Sequence, residues 1–239
     1  MKFIHFILFF LMVLNGWAQD TIFISQDLYL VPLTPNSYVH VSTLPTEEYG
    51  KVPCNGLLYR VDQQVVMADT PATLASTEAL LSWSDDQDLV LTAVVVNHFH
   101  DDCLAGLPAI HRRGVKSYSH IKTPALAKQE NYEAPLITFS DSLVLSLGSQ
   151  KIVAAYLGAG HSPDNSVVYL PQDQLLFGGC LVKSMNASKG YLGVAVLQDW
   201  SKTVQQVKDR FNPQIVIPGH GKVGGPELLD YTVNMFKPK

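Results

Sequence analysis

The feature that most constrains this chain is the run Leu89-Val90-Leu91-Thr92-Ala93-Val94-Val95-Val96, which passes directly into Asn97-His98-Phe99-His100-Asp101-Asp102. Apolar and rich in β-branched side chains, the run predicts a buried central strand. Two imidazoles and two carboxylates follow at its end, at the lip of a core. If the backbone stays extended past Val96, residues two apart point the same way. His98, His100 and Asp102 then converge while Phe99 and Asp101 face elsewhere.

The rest of the chain alternates strand-like and helix-like segments. Strands are predicted at Tyr29 to Leu33, Tyr38 to Ser42, Gly56 to Val61 and Gln64 to Ala68, the last two forming a hairpin through Asp62-Gln63. Between them Thr43 to Pro53, with two prolines, a glycine and two glutamates, reads as a loop. Helical spacing marks Thr73 to Trp83, Leu104 to Arg113, Thr123 to Glu130, Trp200 to Phe211 and Pro226 to Phe236. Leu143 to Leu157 turns at Gly148-Ser149, Val167 to Leu170 pairs with Leu175 to Phe177, and Ile215 to Ile217 is a short buried strand. Strands and helices are thus followed by strands and helices again. That doubling predicts an α/β sandwich of two similar halves, packed sheet to sheet with helices outside and divided near Ala134.

Three further ligand-type residues stand just after predicted strands, each beside glycine: His161 in Gly158-Ala159-Gly160-His161-Ser162, Cys180 in Gly178-Gly179-Cys180, and His220 in Pro218-Gly219-His220-Gly221. Glycine permits the tight turns that aim a side chain back across a strand end. Imidazole, carboxylate and thiolate are the donors Zn²⁺ takes, and six of them suit two ions with open positions left for solvent and substrate. His40, His111 and His120 lack that setting and read as ordinary structural or surface histidines.

The 239 residues carry 17 Lys+Arg against 21 Asp+Glu, a formal charge of −4, which argues against a nucleic-acid partner held by bulk charge. Lys2, the apolar stretch Phe3 to Leu14 and the small residues Gly16 and Ala18 form a cleavable export signal over residues 1–18, with a mature domain over 19–239. No later stretch approaches the ~20 apolar residues of a membrane helix. The expectation is an exported periplasmic protein with no membrane anchor and, lacking any coiled-coil pattern, a monomer. The three cysteines, Cys54, Cys103 and Cys180, leave at least one thiol unpaired, and metal ligation is one reason for an exported thiol.

The order HxHxD, GHS, GGC, PGH resembles the metallo-β-lactamase superfamily, and specifically the class B β-lactamases of subclass B1. Cys103 and Cys180 stand where other hydrolases of that superfamily usually carry His and Asp. The resemblance spans Val52 to Gly221 and implies the αβ/βα four-layer sandwich with a two-zinc site along its edge. It assigns His98, His100 and His161 to a first zinc, and Asp102, Cys180 and His220 to a second. It further implies that a zinc-bound hydroxide opens the β-lactam ring, with Asp102 orienting the nucleophile and Lys183 pairing with the substrate carboxylate. Asp69 matches an acidic position that orients ligands, and Thr43 to Pro53 a mobile flap over apolar substrate groups.

Two departures are visible. Val194 replaces an asparagine that often supplies an amide near the carbonyl, leaving Asn186 or Tyr191 as substitutes, and Cys54 replaces a serine. With Cys103 beside Asp102, Cys54 is open at this stage as a thiol near the site or as half of a disulfide. Also open are a lactonase or thioesterase on the same fold and a zinc-binding protein that has lost turnover.

Overall fold

The computed structural model describes residues 20–238; the expected export signal lies outside the described residues. The first sheet runs in chain order through β1 (Ile22–Ser25), β2 (Leu28–Pro32), β3 (Ser37–Thr46), β4 (Gly50–Val61), β5 (Gln64–Ala68), β6 (Val90–Val95), β7 (Lys116–His120) and β8 (Ile137–Phe139). Its helices are α1 (Leu74–Asp86), α2 (Asp101–Leu104), α3 (Leu107–Arg112) and α4 (Thr123–Gln129). The second sheet contains β9 (Ser142–Leu147), β10 (Gln150–Ala155), β11 (Val167–Leu170), β12 (Leu175–Gly179) and β13 (Ile215–Pro218), in the spatial order β13-β12-β11-β10-β9. With it come α5 (Leu197–Phe211) and α6 (Glu227–Met235).

Three apolar cores separate four layers. One, built around Met67, Leu80, Val94 and Ile110, lies between the first sheet and its helices. A second, with Tyr59, Val95, Val168 and Phe177, fills the space between the sheets. The third packs Leu176, Trp200, Val204 and Leu229 between the second sheet and α5 and α6. Alternation along β6 divides these roles, since Val94 faces helices and Val95 faces the other sheet. This is the expected αβ/βα sandwich, and Ser37 on β3 ties its halves by donating to Asp173 Oδ2 at 2.7 Å.

Four local expectations need correction. The segment Thr43 to Pro53 is not a loop, because β3 and β4 stay paired from Thr43↔Pro53 out to Thr46↔Gly50. Beyond Ser42 on β3, and before Leu57 on β4, neither strand pairs with a third strand among the described residues. Prolines 45 and 53 can therefore sit in the ladder, as they do on edge strands. The expected helix Leu104 to Arg113 is two helices, because Pro108 opens α3 and Gly106 is pinned, its N–H donating to Thr70 Oγ1 at 2.9 Å. The change of sheet falls between Phe139 and Ser142 rather than near Ala134. Finally, β6 ends at Val95 and Asp102 lies in α2, so the strand-end residues do not converge by simple alternation.

Candidate metal centre

All six expected donors nevertheless meet at one edge of the sandwich, where the sheets' strand ends open between the layers. Asn97 makes the turn after β6: its N–H donates to Asp69 Oδ1 at 2.6 Å, and its side chain donates to the Ser166 carbonyl. His100 is extended and precedes the one-turn helix α2, which swings Asp102 back toward His98. His161 is carried by a loop in which the Ser162 N–H donates to Asn165 Oδ1 at 2.9 Å. Asn55 Nδ2 spans the loop bearing His220, donating to the carbonyls of Pro218 and Gly221 at 2.9 Å each.

Three imidazole nitrogens form the first cluster, with His98 Nε2 2.8 Å and His161 Nε2 3.2 Å from His100 Nδ1. Burial pulls His98 down to about 3 and His161 well below the usual imidazole range, so both rings are neutral. The single Nδ1 of His100 cannot satisfy two facing lone pairs, whereas one cation can. Nitrogen donors held tetrahedrally about 2.05 Å from an ion stand about 3.3 Å apart, close to these separations.

The second cluster is a triangle. Cys180 Sγ lies 3.2 Å from Asp102 Oδ2 and 3.3 Å from His220 Nε2, and the last two atoms are 3.4 Å apart. Burial alone would raise Asp102, yet His98, His220 and His100 hold it well below the usual carboxylate range. Burial, reinforced by Asp102, pushes the Cys180 thiol up to about 12. Such a thiol stays protonated at neutral pH until a cation displaces its proton, which is how metal binding couples to proton release. Asp102 Oδ1 also stands 3.6 Å from His98 Nε2, so one carboxylate borders both clusters.

A groove of about 720 Å³ opens over the donors. Leu44, Tyr49 and Val52 of the β3–β4 arm line it, together with Lys183 and Tyr191. Lys183 is buried rather than surface-exposed, with Nζ 5.2 Å from the Trp200 ring centre. Of the two candidates for the amide missing at Val194, Tyr191 reaches the groove, its ring 5.7 Å from that of His100, and Asn186 is exposed and outside the lining. Asp69 has no hydrogen bond to the imidazoles of the two clusters; its carboxylate accepts from the Asn97 N–H and its carbonyl faces His40 Nε2. Among the described residues the three cysteines are free, so Cys54 and Cys103 form no disulfide.

A family model for the metallo-beta-lactamase superfamily matches residues 49–220, a span containing every one of these donors. The chain belongs to the metallo-beta-lactamase superfamily. Within it, a protein named metallo-beta-lactamase type 2 from Bacteroides fragilis is 37% identical over 235 residues, 97% of this chain and 94% of its own. Another of that name from Bacillus cereus is 36% identical over 220 residues, covering 91% and 83% of the two chains. A solved metallo-beta-lactamase from Pontibacter korlensis superposes with a TM-score of 0.84 at 32% identity, over 89% of this chain and all of that one. The fold and the subclass resemblance drawn from the sequence therefore stand.

In this metallo-beta-lactamase site, sequence reasoning gave Asn97 no role and left the place of Cys103 open. Asn97 is wholly buried, bonding His98 Nδ1 at 3.2 Å through Oδ1 and packing against Gly179. Its place just ahead of the first histidine was the available signal. Cys103 Sγ lies 3.1 Å from His98 Nδ1 and 3.7 Å from Asp102 Oδ1, inside the donor network. Neither contact is visible in spacing, because both depend on the turn into α2.

Proposed function

We propose that the protein is an exported zinc β-lactamase that hydrolyses the amide of the β-lactam ring in penicillins, cephalosporins and carbapenems. The observation that carries the reading is the pair of adjoining donor clusters, three imidazoles beside an Asp-Cys-His triangle, at the floor of one groove. His98, His100 and His161 would hold one zinc and Asp102, Cys180 and His220 a second. Zinc so held supplies a Lewis acid and makes water a nucleophile near neutral pH.

The chain's own residues do the rest. Lys183 offers a compact positive charge to the carboxylate that β-lactams carry, fixing the ring over the clusters. Asp102, kept anionic by its histidines, orients the attacking water and accepts a hydrogen bond from it. Leu44, Tyr49 and Val52 cover apolar substituents and exclude water, and Tyr191 stands beside His100 where a hydroxyl can donate to the ring-opening carbonyl. Removal of the leader after Ala18 would release residues 19–239 as a periplasmic monomer. Among the described residues no helix is long and apolar enough to cross a membrane.

Purified mature protein loaded with zinc should open a carbapenem and a cephalosporin, followed by loss of ring absorbance, and should stop when a chelator is added. Absence of turnover in protein shown to hold two zinc ions per chain would overturn the reading. N-terminal sequencing of exported material should begin at Gln19, and sedimentation should give the mass of one chain.

A further inference from the structure

The second donor cluster has a neighbour that the proposed mechanism does not use. Cys54 sits on β4 opposite Ser42, is 2% exposed and is bonded to no other cysteine. Its Sγ, an oxygen of Asp102 and a ring nitrogen of His220 all lie within 4.8 Å of one another. Outside that group its one hydrogen-bond acceptor is the Val52 carbonyl, at a long 3.5 Å. His220 spends Nδ1 on the Pro53 carbonyl at 2.9 Å, which orients Nε2 as a donor toward Asp102 and Cys180. The residue that buttresses this imidazole is therefore the immediate neighbour of Cys54. The strand segment Pro53-Cys54-Asn55 is also locked to the His220 loop, since the Asn55 N–H donates to the Gly219 carbonyl at 2.8 Å.

Donors placed tetrahedrally at about 2.0–2.3 Å from one ion stand roughly 3.3–3.8 Å apart. Cys54 Sγ thus needs to move by at most about 1.5 Å to stand at that spacing from Asp102 and His220, the two donors that also flank Cys180. A sulfur on a single rotatable bond can make that move while the strand stays where it is. We infer that Cys54 is a fourth protein donor at the Asp102-Cys180-His220 cluster, giving a two-thiolate set that closes around a soft divalent cation. The inference rests on reading that cluster as a metal site.

Binding replaces the S–H bond of Cys54 by a sulfur–metal bond and releases the proton to solvent, as for any coordinating thiol. Four protein donors make a closed site of the kind that holds zinc structurally, whereas a site for catalysis keeps a position open. The second ion is then retained at low zinc, and a substrate atom must displace Cys54 to reach it. Two sulfurs in place of one also bias the site toward softer ions such as Cd²⁺.

Cadmium alone is the probe, because each coordinated thiolate adds a sulfur-to-cadmium charge-transfer band in the ultraviolet that is independent of turnover. Full-length mature protein with two equivalents of cadmium should show about twice the band of Cys54→Ser, one thiolate in place of two. The reciprocal variant Cys180→Ser should keep about half of the band, and Cys103→Ser all of it. Removing Cys54 should also weaken the second cadmium by at least the ~10-fold that losing an outer partner of a ligand costs. Equal bands in wild type and Cys54→Ser, or no band in Cys180→Ser, would overturn the inference and leave the three-donor site standing. No thiolate band in the wild type would instead overturn the metal-site reading itself, and this inference with it.

Discussion

Asp102 Oδ2 stands 3.2 Å from Cys180 Sγ, across 78 residues of sequence, joining the end of β6 in the first sheet to the end of β12 in the second. The contact exists because α2 turns the carboxylate back while Gly179, at φ +53°, kinks the chain just before the cysteine. A Cβ at Gly179 would strike the Asn97 amide, so only glycine lets both turns approach.

Cys180→Ser should therefore weaken the second site selectively, leaving Asp102, His220 and Cys54 to hold its ion. Zinc titration is expected to show the second affinity lowered by about 10-fold or more, with the three-histidine cluster unaffected. Where zinc is limiting and that site stands under-filled, losing a Lewis acid worth several kcal/mol lowers kcat/KM by about 10²-fold or more. An unchanged second affinity in the serine variant would refute the assignment.

Lys183 gives a different signature. Its backbone N–H donates to Thr232 Oγ1 at 2.9 Å, which anchors the residue to α6, and burial lowers the pKa of its ammonium. Truncating one partner of a buried charge pair costs about 2 kcal/mol or more, so Lys183→Ala should raise KM about thirtyfold. On the proposed reading the group would touch the substrate carboxylate in both ground and transition states, so kcat should change far less. A fall in kcat at constant KM would place the lysine elsewhere in the reaction.

The donor residues were legible because each is a strong ligand type set beside glycine or directly after a strand, a pattern that survives without coordinates. The elements that escaped are those whose burial is not written in hydropathy. The strand β7 reads Lys-Ser-Tyr-Ser-His, yet Ser117 and Ser119 are fully buried, their hydroxyls serving as hydrogen-bond partners in place of apolar packing. The strand β8 has three residues, too few for a period to show. The β3–β4 arm was hidden by prolines that edge strands tolerate. Asp102 was found for an incomplete reason: the residue type was right, but a helical turn rather than strand alternation aims it.

Gly219 offers a test of how the second cluster is supported. A Cβ there would come within 2.6 Å of both Cys180 N and Cys180 Sγ. The Gly219 N–H also donates to the Gly179 carbonyl at 2.8 Å, so the backbone cannot retreat without breaking that bond. Gly219→Ala should displace the thiol and lower second-site zinc affinity by about 10-fold or more, while the first site holds. Isothermal titration resolving two binding steps checks this. Two unchanged affinities would show that the loop absorbs the methyl.

His40 provides a pH signature away from the metal donors. It is buried beneath Gly56 with Nε2 3.0 Å from the Asp69 carbonyl, and Nδ1 has no partner. Burial lowers its pKa to about 4, with the Asp69 and Ala68 backbone pulling weakly the other way. The unfolded chain takes up this proton near pH 6.5, ahead of the folded protein, so stability falls as pH drops from about 6.5 toward 4. The slope is about 1.4 kcal/mol per pH unit, and the total is on the order of 3 kcal/mol. Asp69, pushed well above the usual carboxylate range by burial, titrates with the opposite sign, so the net curve alone does not isolate His40. Urea unfolding of wild type and His40→Gln, compared at pH 7 and 5, does: the variant should lack His40's share of the decline. A normal His40 titration near pH 6.5 by nuclear magnetic resonance would remove the basis for the effect.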